Sequence, residues 1–195
     1  PTNRLADAYI PDNNSTCNTT FNFDHKLYQY SDWKNYEIKY RPDVWWNNYD
    51  GMKVGLNLTG GYLRHHHLFD ASVWFNTGAL QKDSIPNAND YDYYSYRINY
   101  NTNLDKIALN TRINTRSQFL AGLYTNKFSI IKSDSKGNNK LEVDFLSLYR
   151  TNEDYLINSG WDLEKMNNRI DVNLEHKYNY SYGKGTINLM LQSSA

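Results

Sequence analysis

The chain has 195 residues and is formally neutral, with 21 Lys plus Arg against 21 Asp plus Glu, so no long-range field draws it to nucleic acid or to an acidic partner. Its 18 Tyr, 5 Trp and 7 Phe exclude a disordered class, which is poor in aromatics, although the mean hydropathy is strongly polar at −0.81. The single cysteine, Cys17, excludes an internal disulfide framework and a cysteine-based zinc site, and no stretch approaches the ~20 consecutive apolar residues that a membrane helix requires.

Taken in chain order, residues 1–30 show no alternation and are rich in Asn, Thr and Asp. They read as the end of an upstream domain (1–14) followed by a linker (15–34), with a β-rich region over 35–195. From residue 41 the pattern changes. In "RPDVWWNNYDGMKVGLNLTGGYL" a bend crowded with Trp45, Trp46 and Tyr49 leads into Met52, Val54, Leu56 and Leu58, which alternate with Lys53, Gly55, Asn57 and Thr59. Period two is the mark of a strand with two unlike faces. Either the core of a soluble sheet or a lipid bilayer backed by water would ask for it.

The same period recurs to the end of the chain. Phe69, Ala71, Val73 and Phe75 oppose Asp70, Ser72, Trp74 and Asn76; Tyr94, Tyr96, Ile98 and Tyr100 oppose Ser95, Arg97, Asn99 and Asn101. Ile107, Leu109, Thr111 and Ile113 oppose Ala108, Asn110, Arg112 and Asn114, and 106–131 is expected to bend once near "NTRSQ" to make two strands. Leu141, Val143 and Phe145, then Ile170, Val172 and Leu174 running on to Tyr178 and Tyr180, and last Ile187, Leu189 and Leu191, complete the series. Short turns are expected at 64–67, 101–105 and 181–185, longer links at 78–90 and 151–168, and a short helical turn within 152–168.

The fold class this predicts is all-β, an antiparallel up-and-down meander of long strands. Strands of roughly ten residues exceed the ~5–6 common in soluble sheets and match the ~9–11 of tilted membrane strands. The expectation is therefore part of an outer-membrane-type β-barrel. Trp45, Trp46, Tyr49, Tyr94, Tyr178 and Tyr180 would lie at the membrane interface. Val54, Leu56, Leu58, Val73, Ile98, Leu109, Val172 and Leu189 would face lipid, while Lys53, Asn57, Arg97, Asn99, Arg112, Asp171 and Glu175 would face a polar lumen.

The chemistry-bearing residues give little. Of the run His65-His66-His67, only His65 and His67 share a face, so they are weak metal candidates that lack a third ligand; a polar turn is the plainer reading. No nucleophile elbow, phosphate-cradling loop or zinc-binding helix motif is present, so no catalytic residue is expected in this segment.

Two stretches resemble one family. "PTNRLADAYIPDNNS" resembles the closing strand of the peptidase part in aminopeptidase N-like (gluzincin) zinc metallopeptidases of Bacteroidetes-type bacteria, through Arg4, Leu5, Ala6, Asp7, Asn13 and Asn14. "YRPDVWWNNYDGMKVGLNLTGGYLRHHHLFDASVWFNTG" (40–78) is similar to the start of the β-rich C-terminal region of the same proteins. The resemblance implies an upstream zinc peptidase domain in a longer chain, with zinc bound there and no cofactor here. It further implies a non-catalytic barrel that anchors the peptidase in the outer membrane of a Gram-negative bacterium. The partners would be the lipid bilayer and the rest of the polypeptide. The rival readings are a soluble β-rich module binding glycan or protein, and a porin or transporter barrel fragment unrelated to peptidases.

Overall fold

The computed structural model describes residues 18–24, 35–62, 66–81, 92–104, 107–151 and 166–194. They form ten strands: β1 (Thr19–Phe23), β2 (Tyr36–Asn47), β3 (Gly51–Tyr62), β4 (His66–Asn76), β5 (Tyr94–Asn103), β6 (Thr111–Leu120), β7 (Leu123–Ser133), β8 (Asn139–Arg150), β9 (Met166–Tyr180) and β10 (Gly183–Ser194). One sheet contains them all, in the spatial order of the sequence. From β2 to β10 each strand is antiparallel to the next, as the alternating pattern predicts for hairpin-linked strands.

Three expectations are corrected. The sheet is open: β1 ends it on one side and β10 on the other, and these two strands do not pair, so the barrel is overturned. Alternation reports that two faces differ in environment. Closure depends on a ladder between first and last strands, which no local pattern encodes. Nor is the sheet purely antiparallel, because β1 runs parallel to β2, Thr19 beside Tyr36 through Phe23 beside Tyr40. β1 lies inside the stretch read as a linker, while residues 1–14 lie outside the described residues.

The third correction concerns 106–131. The stretch does make two strands, but the turn falls at Ala121–Gly122, past "NTRSQ". Both residues have positive φ, 52° and 66°, the mark of a two-residue type I′ hairpin whose twist suits the flanking strands; Leu120 and Leu123 close it. Upstream, Ile107 and Leu109 precede β6 in a turn held by the Ile107 and Ala108 N–H groups donating to the Leu104 carbonyl. Leu109 therefore belongs to no strand and is 76% exposed. The helical turn expected within 152–168 falls largely on 152–165, outside the described residues.

The hydrophobic core is small. Among the described residues the buried apolar side chains are Trp74 and Phe119. Phe119 sits in a row of rings, stacked at 4.1 Å on Tyr124 and tilted at 5.6 Å against Tyr94. Elsewhere the ladders carry the fold, and side-chain pairs across neighbouring strands are the unit of its stabilisation.

Candidate interaction face

The register sorts side chains between two faces. On one lie Val44, Val54, Leu56, Leu58, Val73, Phe75, Ile98, Phe128, Ile130, Val143, Phe145, Ile170, Val172, Leu174 and Leu189, brought side by side by the ladders. On the other lie Lys53, Asn57, Asn76, Ser72, Ser95, Arg97, Asn99, Arg112, Arg116, Lys127, Asp144, Asp171 and Glu175.

The burial of these faces is inverted relative to a soluble sheet. Lys53, Asp50, Ser72 and Ser95 are fully buried, whereas Val54, Leu56, Val73, Phe75, Ile98 and Leu189 are between 42% and 71% exposed. An isolated exposed apolar residue carries no information, but a large contiguous apolar patch does.

The buried polar side is built locally. The Asn47 side chain accepts the N–H groups of Tyr49 (3.0 Å) and Asp50 (2.6 Å) and donates to the Asp50 carboxylate at 2.9 Å. This Asx-type turn directs Asp50 inward, where its Oδ2 lies 2.5 Å from Lys53 Nζ. Lys53 also donates to Ser95 Oγ at 2.8 Å, and Ser95 exchanges hydrogen bonds with Asn76 at 3.0 and 3.2 Å. Beyond the Gly55–Trp74 row, Asn57 Nδ2 donates to Asp70 (2.7 Å) and Ser72 (2.8 Å). A buried charge pair holds only where geometry and extra hydrogen bonds offset desolvation, and this network supplies them.

Aromatic rings roof it. Trp45 meets Trp74 edge to face at 5.8 Å, Lys53 lies 4.8 Å from the Trp45 ring centroid, and Arg97 lies 5.9 Å from that of Trp74. Trp74 reaches this position because its strand neighbour is Gly55. A Cβ at Gly55 would meet Trp74 Cδ1 at 2.7 Å and collide with the Val73 carbonyl oxygen.

The aromatics expected to act together are thus divided. Trp45 belongs to the polar face and Trp46 to the apolar one, where its Nε1 donates to the Leu80 carbonyl at 2.8 Å. Tyr49 sits in the 48–50 turn. Tyr94, Tyr178 and Tyr180 share the apolar face with Val54 and Leu189, Tyr94 near one end of the strands and the other two near the opposite end. The residues expected to line a lumen do share a face, but the open sheet has no lumen, and Lys53 is enclosed rather than wet.

Two further ring clusters on the apolar face escaped sequence reading. At one end Tyr94 and Tyr124 bring their hydroxyls within 3.3 Å. The Tyr94 hydrogen bond, helped by burial and neighbouring charge, pushes the Tyr124 phenol up to about 12. At the other end Tyr36 donates to the His67 carbonyl at 2.6 Å, and His67 Nδ1 lies 2.7 Å from the Tyr100 hydroxyl. Burial, then Tyr100, raises the Tyr36 phenol. Neither cluster joins residues near in sequence; the only local hint was tyrosine abundance at strand ends.

His67, a weak metal candidate, is therefore engaged by tyrosine and by Thr102 Oγ1 at 3.3 Å, and its partner candidate His65 lies outside the described residues. Among the described residues no group of three or more His, Cys, Asp and Glu is placed to hold a metal. A hollow of about 420 Å³ on the apolar face is lined by Leu141, Leu174, Ile187 and Leu189, with Lys132, Asp134, Glu175 and His176 among its polar residues.

Comparison with protein-family models, with curated proteins and with solved structures finds no match to the chain. The resemblance to gluzincin peptidases is thereby overturned, and with it the peptidase anchor. Of the strings that suggested it, residues 1–15 lie outside the described residues, and 40–78 carries Asn47, Asn48, Asp50 and Gly51 around the bend between β2 and β3, residue types that many β-turns require for their own backbone geometry.

Proposed function

We propose that this chain is a non-catalytic, β-rich protein-binding module whose apolar sheet face is the working surface. The observation that carries the reading is the inversion at β3–β5. Val54, Leu56, Val73 and Ile98 stand 42–48% exposed while Lys53 and Asp50 on the opposite side are fully enclosed. On the enclosed side Lys53 is hydrogen-bonded to Ser95, and Asn57 to Asp70 and Ser72. Among the described residues nothing comparable covers the apolar side, and an apolar patch beyond a few hundred Å² marks an interaction site. A second apolar sheet face, interdigitating ~10 Å away, is the cover that a pleated surface fits best.

A specific observation favours a second reading, in which the cover is a lipid surface. Rings gather at both ends of the aliphatic band, Tyr94, Tyr124 and Tyr149 at one and Tyr36, Phe69 and Tyr100 at the other, and amphipathic rings prefer the membrane–water boundary.

The test is a photo-crosslinking amino acid placed at Leu56 and Ile98, with Asn57 and Arg97 as opposite-face controls, in the cell that makes the protein. Discrete protein adducts from Leu56 and Ile98 but not from the controls are the expected result. Phospholipid adducts with the same face preference would replace it with the second reading. Equal labelling from both faces would overturn both.

A further inference from the structure

The buried cluster at the bend between β2 and β3 holds more than a charge pair. Lys53 and Asp50 are fully buried, and the side-chain amide of Asn47 adjoins them. An amine, an amide and a carboxylate enclosed together are the two reactants and the proton carrier of a transamidation.

The register brings these groups together. Trp45 stands opposite Lys53 and Asn47 opposite Gly51, so Asn47 and Lys53 are diagonal neighbours on the polar face, within reach of a long side chain. Asp50 Oδ2 joins their nitrogens, 2.5 Å from Lys53 Nζ and 2.9 Å from Asn47 Nδ2. The Asn47 amide oxygen, Oδ1, accepts the backbone N–H groups of Asp50 at 2.6 Å and Tyr49 at 3.0 Å. Two N–H groups aimed at one amide oxygen polarise its carbon, and they sit where negative charge gathers when that carbon is attacked. The Trp45 and Trp74 rings cover the Lys53 side of the cluster.

We infer that Lys53 and Asn47 join in an isopeptide bond within the folded chain, with Asp50 carrying the protons. The Lys53–Asp50 ion pair is the state before reaction. Asp50 Oδ2 takes a proton from the Lys53 ammonium across their contact, which leaves two neutral groups and frees the amine lone pair. Nζ turns toward Cγ of Asn47, to an attack distance of ~3–3.5 Å, and forms the new C–N bond. The Tyr49 and Asp50 N–H groups hold the charge on Oδ1. Asp50 then gives its proton to Nδ2 and takes one from Nζ; the Cγ–Nδ2 bond breaks and ammonia leaves. The products are a secondary amide, a neutral Asp50 carboxyl and ammonia, so no outside reactant is needed. The exchange removes two buried charges, which are costly to hold, and an enclosed site keeps hydrolysis from competing. The loop it closes, 47–53, is short, and short loops gain least from a cross-link. The bond therefore fixes the bend more than it raises stability. This inference concerns the polar side of the sheet and does not depend on what covers the apolar face.

The test is mass spectrometry of the folded chain, intact and then after trypsin. Arg41 precedes Pro42, where trypsin does not cut, so the unmodified bend is released as two peptides, 40–53 and 54–64. Trypsin does not cut after a lysine whose Nζ is acylated. The expected product is therefore one peptide, 40–64, lighter by one ammonia and giving no backbone fragments between 47 and 53. A succinimide elsewhere in this Asn-rich chain would also lose ammonia, but it would leave Lys53 cleavable. Asn47→Ser keeps an acceptor for the turn and removes the acyl group, so it should restore the full mass and the cut after Lys53. Asp50→Asn keeps both reactants and should slow bond formation ~100-fold or more, the usual contribution of a positioned acid–base group. A folded parent chain of full mass that is cut after Lys53 overturns the inference, whatever the variants do. Loss of water in place of ammonia also overturns it, since that would join Lys53 to Asp50. So does a 40–64 peptide linked to the one that contains Asn76.

Discussion

The polar face behaves differently at its two ends, although its alternation reads the same throughout. Across β3–β5 it is enclosed: Lys53 and Asp50 pair with no exposed side-chain surface. Across β7–β9 it is half open. There Lys127 meets Asp144 at 2.7 Å and Arg169 meets Asp171 at 2.9 Å, with the basic partners 41% and 42% exposed. The difference lies in the roof. Trp45 and Trp74 stand on the polar face beside Lys53, while the ladder rows around Asp144 and Asp171 hold Ser129, Leu146, Arg169 and Asn173 and no indole. A period-two pattern therefore assigns a face, and the bulk of the neighbours on that face assigns depth.

Breaking the enclosed end should have the largest effect. Lys53→Ala strands the Asp50 carboxylate, and removing one partner of a buried pair costs ~3–5 kcal/mol. Lys53→Met combined with Asp50→Asn should recover most of that loss, because the amide retains the Asn47 contact and no charge is left without a partner. Chemical denaturation of the three proteins checks this. Equal losses in the single and double variants would mean that the pair is wet.

The roof itself is the next target. Gly55→Ala forces a Cβ against the Val73 carbonyl and the Trp74 ring, and overpacking of this kind costs ~1–3 kcal/mol. The sharper readout is Trp74 fluorescence in a variant that keeps Trp74 as its sole indole, which should shift toward the solvent-exposed value as the ring is pushed off. An unchanged spectrum would show that Gly55 does not seat Trp74.

These contrasts mark what the sequence made legible. From β3 onward, strand identity and hairpin order largely followed from period two, because a pleated chain between unlike environments must alternate, whereas β1 fell in the stretch read as a linker and β2 in the stretch read as a bend. The alternation ran one step too far at Ile107 and Leu109. Their spacing fits a strand, but a turn holds them, and Asn110 follows with φ 55°. The long-range features were not legible. The parallel pairing of β1 with β2 joins residues 17 apart, Thr19 and Tyr36. The Lys53–Ser95 hydrogen bond spans 42 positions. The open edges follow from which strands fail to meet, and local residue types do not record that. Lys53 read as wet because lysine on a polar face usually is, and only the three-dimensional neighbourhood of two indoles and an Asx turn reverses it.

A smaller effect is expected at the ring row on the other face. Tyr124 has a phenol pushed up to about 12 from an ordinary 10.0, first through the Tyr94 hydrogen bond. A raised folded-state value means that the protonated phenol favours the fold. That contribution is complete below pH 10 and is lost as pH rises toward 12. Tyr124→Phe should give up that contribution at neutral pH, flatten the stability curve between pH 10 and 12, and remove the latest tyrosinate absorbance step. A step that persists in Tyr124→Phe would assign the high value to another ring.

The smallest effect should come from the half-open end, and its size tests the opening contrast most directly. Asp144 lies directly opposite Asp171, and like charges in that position repel. Each has its own cation, Lys127 for Asp144 and Arg169 for Asp171. Asp144→Asn gives up one ion pair and relieves one repulsion, and an ion pair whose lysine is 41% exposed contributes no more than ~1 kcal/mol. The two changes oppose each other, so neutral-pH stability should stay within ~1 kcal/mol of the parent, and the small difference should shrink as added salt screens it. A loss comparable to that of Lys53→Ala, insensitive to salt, would mean that β7–β9 is as enclosed as β3–β5. Depth would then follow the polar face as a whole, and the indole roof would not be its cause.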